Sequence, residues 1–313
     1  MTAAWLDHVV SEEPLLLPGH GACAGCGPAI NLRHVLGALA DARPESEIVL
    51  VIPASCWTII AGVWPVSAFR VAVHLTPFAS AAAEASGIKA ALRLRELEDA
   101  TVVVWGGDGA TADIGFAGVS AAAERNEDMV YVLNDNEAYM NTGVQKSGAT
   151  PEGAWTTTTP VTAPRAGQKK DMARIIAAHG VPYVATLAAG SVPMLRDFRA
   201  KVARAAEIRG FRFLHTFGAC PPGWRYPVGQ TTEITRLAVE SRVFPLCEWV
   251  DGLWRITYEP KHPVRVREYL AAQGRFAHLT PQETAAIQTH VDERWRALGQ
   301  RATASEAAST VMS

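Results

Sequence analysis

The sequence predicts an α/β protein: a mostly parallel sheet with helices on both faces. Three observations carry that expectation. Short β-branched runs alternate with longer alanine- and leucine-rich segments, as strands alternate with crossover helices in a covered parallel sheet. The chain has 313 residues, 49% of them hydrophobic, enough to bury a full-sized core. A glycine-rich turn, Gly106-Gly107-Asp108-Gly109, follows the apolar run Thr101–Trp105, at the carboxyl end of a strand where α/β sheets bind ligands.

The runs expected as strands are Ile48–Ile52, Thr101–Trp105, Met129–Leu133, Phe211–Phe217 and Trp254–Tyr258. Between them, periodicity predicts helices over Ala29–Ala40, Ser80–Leu97, Ile114–Arg125, Asp171–Ala178, Val192–Ile208, Thr231–Arg242 and Pro281–Leu298. Two stretches fit neither class. Asn134–Lys170 is rich in Thr, Gly and Pro, and a loop of that length in a compact domain is usually functional. Gly218–Gly229 holds Cys220-Pro221-Pro222-Gly223-Trp224. Arg301–Ser313, rich in Ala, Ser and Thr, is expected to be a frayed tail or arm.

Twenty-nine basic residues against 31 acidic ones leave a net charge of −2, which offers no footprint for nucleic acid or an anionic membrane. Met1–Pro14 carries Asp7, His8, Glu12 and Glu13 where a signal peptide needs a basic then an apolar stretch. Ala79–Leu92, the most apolar segment, contains Glu84 and Lys89 and is too short and polar to span a bilayer. A soluble, cytoplasmic protein is expected. Five cysteines, at positions 23, 26, 56, 220 and 247, then suggest metal or redox chemistry more than disulfides.

After Thr101–Trp105 comes Gly106-Gly107-Asp108-Gly109-Ala110. Glycines there let the backbone approach a diphosphate, and Asp108 offers a hard oxygen to a bridging magnesium ion. A lone Gly-Asp-Gly is more often a tight turn, and it is a second loop at the end of the following strand that reverses this reading. Twenty-four residues further on, after one helix and one strand, comes Asn134-Asp135-Asn136. Neighbouring parallel strands would deliver both loops to one edge, where one metal could be shared.

Cys23-Ala24-Gly25-Cys26-Gly27-Pro28 places two thiols on one turn before a helix, while Cys56 and Cys220 each follow a strand. Four thiolates suit a structural zinc or an iron–sulfur cluster, and Cys-x-x-Cys alone can be a dithiol switch. Zinc sites usually pair two short knuckles, so one short pair plus two distant cysteines favours a cluster. Cys247 reads as core.

Together these segments resemble the β subunit of the pyruvate:ferredoxin oxidoreductase (2-oxoacid:acceptor oxidoreductase) family, whose members include phenylglyoxylate and oxalate oxidoreductases. The matching segments are Gly21–Gly27, Phe78–Ile88, Gly107–Gly115, Asn134–Gln145 and Cys220–Trp224, in the family's order. The resemblance implies a thiamine-diphosphate-binding fold over residues 1–300, with cysteine loops near 21–28, 54–57 and 218–224 and a flexible tail at 301–313. It implies a [4Fe–4S] cluster on Cys23, Cys26, Cys56 and Cys220, and magnesium on Asp108, Asn136 and the Ala138 carbonyl. Asn141 is matched to a polar residue that meets the substrate carboxylate, and Gly27, Gly107, Gly109, Ala110 and Tyr139 complete the implied cofactor site. Two departures, Ala54-Ser55 where many relatives have Thr-Gly and Ala219 where many have Pro, bear on cluster potential and pocket shape.

The implied reaction is oxidative decarboxylation of a 2-oxoacid, pyruvate-type or an arylglyoxylate, to acyl-CoA and CO2, with CoA as co-substrate. In the family the glutamate that activates the aminopyrimidine lies on another subunit. Glu84 and Glu137 are read as solvated or structural, and Trp57, Trp64, His20 and His74 as structural. The implied partners are an α subunit completing the thiamine site, a ferredoxin-like iron–sulfur subunit, a γ subunit, and ferredoxin or a flavoprotein passing electrons to NAD. Two rivals stand beside this reading: a non-redox thiamine decarboxylase or carboligase, and a zinc-stabilised scaffold subunit.

Overall fold

The computed structural model describes residues 14–62 and 66–312, which leaves most of the amino-terminal export argument and Trp64 outside the described residues. Eight strands, β1 (Ile48–Pro53), β2 (Ala72–Thr76), β3 (Thr101–Gly107), β4 (Met129–Asp135), β5 (Tyr183–Leu187), β6 (Phe211–Phe217), β7 (Leu246–Val250) and β8 (Leu253–Tyr258), form one sheet. Its order is β2-β1-β3-β4-β6-β5-β7-β8. The first six strands pair in parallel, and β7 and β8 close the edge as an antiparallel hairpin. Asp251 and Gly252 turn that hairpin with φ of 48° and 88°, the left-handed pair such two-residue turns need.

The α-helices are α1 (Gly27–Ala42), α2 (Trp57–Ile60), α3 (Ala81–Leu94), α4 (Asp108–Ala112), α5 (Phe116–Glu124), α6 (Met172–Ala177), α7 (Val192–Glu207), α8 (Pro221–Trp224), α9 (Thr231–Glu240), α10 (Val266–Ala271) and α11 (Pro281–Met312). Successive strand residues point to opposite faces, so each central strand feeds two cores. Leu50, Ile52, Val103, Trp105, Val130 and Val132 pack with Leu32, Val35 and Leu36 of α1 and Phe198 and Val202 of α7. Val51, Val102, Val104, Tyr131 and Leu133 pack on the other side with Ala82 of α3, Val119 of α5 and Ile176 of α6. Burial on both faces explains why these strands read as continuous apolar runs.

The expected strands are all present, and three more were hidden. β2 has only its last residue buried, so it lacks an apolar signature. β5 is a five-residue run too short for periodicity to separate strand from helix. β7 carries Glu248, which is buried because Tyr183 Oη donates to it at 3.2 Å and Arg204 pairs with it at 2.5 Å. Two expectations are corrected. The helix expected at Ile114–Arg125 is α5, which starts only at Phe116, and an unexpected short helix, α4, precedes it across a break at Asp113–Gly115. There a Cβ on Gly115 would sit 1.9 Å from the Ala110 carbonyl oxygen. The frayed tail expected at Arg301–Ser313 is instead helical through Met312. Alanine, read as a sign of fraying, is the strongest helix former, and Ser305 Oγ accepts from the Trp254 backbone N–H at 3.0 Å.

Candidate active site

Parallel pairing puts the carboxyl ends of β1, β3, β4 and β6 on one edge, and register sets them level: Gly107 lies beside Asn134, and Asp135 beside Phe217. The loops leaving these ends enclose a cavity of about 270 Å³ with the Gly21–Cys26 turn. Cys23, Cys26, Cys56 and Cys220 line it together with Gly107, Asp108, Gly109, Asn134, Asn136, Ala138, Tyr139 and Asn141.

Close approach builds the Asp108 corner. Gly109 lies so near Tyr139 that a Cβ there would fall 2.1 Å from the ring. Tyr139 Oη donates to Asp113 Oδ2 at 3.0 Å, and the Gly148 N–H donates to the same oxygen at 2.8 Å. Asp108, buried, accepts from Ser147 Oγ. Burial first, and the neighbouring Asp135 charge second, push its carboxyl well above the usual range. Asn134 Oδ1 and Asn136 Oδ1 are buried without a hydrogen-bond partner among the described residues. A buried carboxylate lacking a cation beside amide oxygens lacking donors is a donor set for a hard metal ion.

Asp135 serves a different purpose. Its Oδ1 accepts from the Glu137 N–H at 3.0 Å, and its Oδ2 meets Lys169 Nζ at 3.0 Å and His215 Nε2 at 2.8 Å. Burial pushes this carboxyl up, but Lys169 and His215 outweigh burial and hold it well below the usual range. Glu137, also buried, pairs with Lys169 at 2.7 Å and Arg275 at 2.6 Å. The Arg275 guanidinium lies 3.7 Å from the centre of a Trp224 ring, and Trp224 Nε1 donates to the Asn136 carbonyl at 2.9 Å. The backbone of the 135–138 turn is thus anchored from behind, and Glu137 has the structural role expected of it.

The thiol wall joins two distant segments. Cys26 caps α1, and the Gly27 N–H donates to the Ala219 carbonyl at 3.1 Å. A Cβ on Gly27 would sit 2.5 Å from that oxygen, so only glycine lets the first cysteine turn abut the Cys220 segment. Burial pushes the Cys26 thiol up to about 11 and the Cys220 thiol up to about 12; both also sense neighbouring cysteines. Cys56 is raised mainly by burial, then by Cys23. These thiols ionise only when a positive centre joins them. Among the described residues, no three His, Cys, Asp or Glu side chains close on a single-ion point.

Most expected residues therefore share one cavity. Gly27 and Ala110 fall outside its lining: Gly27 packs on Ala219, and Ala110 lies in the buried turn of α4. Cys247 is core, and Trp57 is buried against Trp105 with ring centres 5.8 Å apart. His20 Nδ1 accepts from the Ala22 N–H at 3.3 Å, and His74 pairs with Glu84, structural roles as expected. Lys169, Ser147 and Arg275 were missed; the only signal was the length of the loop carrying the first two.

This fold and rim place the chain among thiamine-diphosphate enzymes: the family described as "Thiamine pyrophosphate enzyme, C-terminal TPP binding domain" matches residues 62–216. Ketoisovalerate oxidoreductase subunit VorB of Pyrococcus horikoshii is 43% identical over 91% of this chain and 93% of its own. Pyruvate synthase subunit PorB of Methanocaldococcus jannaschii is 43% identical over 92% and 97%. The 2-oxoglutarate:ferredoxin oxidoreductase from Magnetococcus marinus superposes with a TM-score of 0.56 at 23% identity, covering 72% of this chain and 78% of that one; this likeness bears on the fold alone. The chain belongs to the family of β subunits of 2-oxoacid:ferredoxin oxidoreductases, enzymes that work as multi-subunit complexes.

Proposed function

We propose that this β subunit carries the thiamine and the first electron acceptor of a CoA-dependent 2-oxoacid oxidoreductase, working in the cytoplasm. Asp108, Asn136 and the Ala138 carbonyl hold Mg2+ against the diphosphate, with Gly107, Gly109, Ala110 and Tyr139 shaping the cradle. Cys23, Cys26, Cys56 and Cys220 hold a [4Fe–4S] cluster. The thiamine-binding body spans residues 1–300. An α subunit supplies the activating glutamate, a ferredoxin-like subunit and a γ subunit complete the complex, and ferredoxin or a flavoprotein takes the electrons. The substrate is pyruvate or a branched-chain 2-oxoacid, since relatives named for each are equally similar; an arylglyoxylate is the third candidate.

Thiamine diphosphate, when bound, supplies the nucleophilic carbon and the electron sink for decarboxylation, and a cluster beside it accepts electrons singly. The chain's own residues position and insulate. Asp108 would give the metal an anionic oxygen ligand, Tyr139 closes over Gly109, and Asn141, exposed at the cavity mouth, donates to the substrate carboxylate. Ile59, Ile60 and Phe78 line the same cavity and exclude water from it.

The observation that carries this reading is that four thiols and the Asp108–Asn136 donor set line a single cavity. The test is anaerobic purification of the whole complex with wild-type chain or Cys56→Ser. Iron, sulfide and absorption near 400 nm should be present in the first and fall in the second, with viologen reduction on 2-oxoacid plus CoA lost in parallel. A colourless wild-type complex with stoichiometric zinc would overturn the reading.

A further inference from the structure

Beneath α11 the sheet is incompletely covered. A second cavity, of about 410 Å³, lies between α11, the first turn of α6 and the strands β5 to β8. That is larger than the cavity at the rim and of the size that small organic ligands occupy.

Its charged lining is mainly cationic. α11 contributes Arg294 and Arg301, seven residues apart and so on one helix face, and α6 contributes Arg174. Arg174 lies 4.0 Å from Asp171, the cap of its own helix. Arg294 donates to the Val243 carbonyl and has no carboxylate partner among the described residues. Arg301 makes neither a hydrogen bond nor an ion pair among them. Burial pushes the Arg294 guanidinium below its ordinary value, opposed by more distant Asp171 and Glu137. Phe244 and Trp254 supply apolar wall. A guanidinium held against such a surface costs stability until an anion meets it.

We propose that this cavity is a second ligand site, for an organic anion whose carboxylate or phosphate meets Arg294 and Arg301 while its apolar body lies against Phe244 and Trp254. The site reaches the reaction centre through two of its own wall residues. Lys169 and His215 line the cavity and also hold Asp135, at 3.0 and 2.8 Å. An anion drawing on Lys169, or on the His215 ring, loosens the strand end that carries Asn136. Occupancy therefore weakens Mg2+ binding, and Mg2+ weakens the anion by the same factor. This coupling rests on the magnesium assignment above; the binding does not.

Two matched probes without a 2-keto group, phenylacetate and phenyl phosphate, are titrated calorimetrically into the intact complex, with inorganic phosphate as a third. At least one aromatic anion should bind saturably, one per chain, and the tighter of the two identifies the head group. Arg294→Gln should weaken it roughly 30-fold or more. Arg301→Ala, two turns further along the same face of α11, should weaken it roughly 5-fold and guards against a misfolded Arg294 variant. Absence of saturable binding, binding indifferent to both substitutions, or inorganic phosphate binding as tightly as the aromatic anions would each overturn the site. Magnesium titration with and without the saturating probe should show a shift of about 5-fold. Binding without that shift removes the coupling and leaves the site, so the two failures are told apart.

Discussion

Asp108 and Asp135 stand at the ends of adjacent strands, both buried, and the protein treats them oppositely. Asp135 is gripped by Lys169 and His215, which pull its pKa down despite burial. Asp108 receives one hydroxyl, from Ser147, and its pKa rises. The chain thus neutralises the carboxylate that braces the loop and leaves bare the one that faces the cavity. Charge withheld at one position and supplied at the next marks where an incoming cation belongs.

The strongest way to break this contrast is Asp135→Asn, which strands Lys169 beside Glu137 alone and should cost about 3–5 kcal/mol in urea unfolding. Its pH signature follows from the sign of the shift. Asp135 titrates lower folded than unfolded, so its contribution is present above the unfolded pKa and lost as pH falls through the folded one. Asp108→Asn should do the reverse in metal-free protein. Asp108 titrates higher folded, so its charge erodes stability as pH rises through the unfolded and then the folded value. Removing it should raise the neutral-pH unfolding midpoint while abolishing the further ~2.7 kcal/mol that thiamine diphosphate plus Mg2+ at 100 times Kd would confer. Gly109→Ala drives a methyl into Tyr139 and should cost about 1–3 kcal/mol, read as a thermal shift together with weaker thiamine binding. Tyr139→Phe loses one hydrogen bond to Asp113, which keeps the Gly148 N–H, so a change of only about 1 kcal/mol is expected.

The rim was legible because its signals are local. Gly107-Asp108-Gly109 and Cys23-x-x-Cys26 are patterns a few residues long, and the strands before the rim loops are apolar enough to be seen. What holds the rim in place was not legible. Lys169 lies 34 residues from Asp135, and Arg275 lies 138 from Glu137; neither belongs to a periodic run, and burial of a charge is a property of the folded neighbourhood alone. The same limit hid β7, whose Glu248 reads as a surface residue until Arg204 is seen beside it. At the carboxyl end the error lay in weighing composition by complexity: Ala-rich sequence there continues α11.

The strand order has a consequence for biosynthesis. β4 pairs with β6, not with β5, so its open edge waits until a segment ending at Phe217 has left the ribosome. Cys23, Cys26, Cys56 and Asp108 emerge long before Cys220, which follows that last central strand. Closing so long a loop is entropically slow. An amino-terminal fragment that stops short of residue 220 therefore carries three thiols and half a floor, and the complete pocket is a property only of chains extended past Cys220.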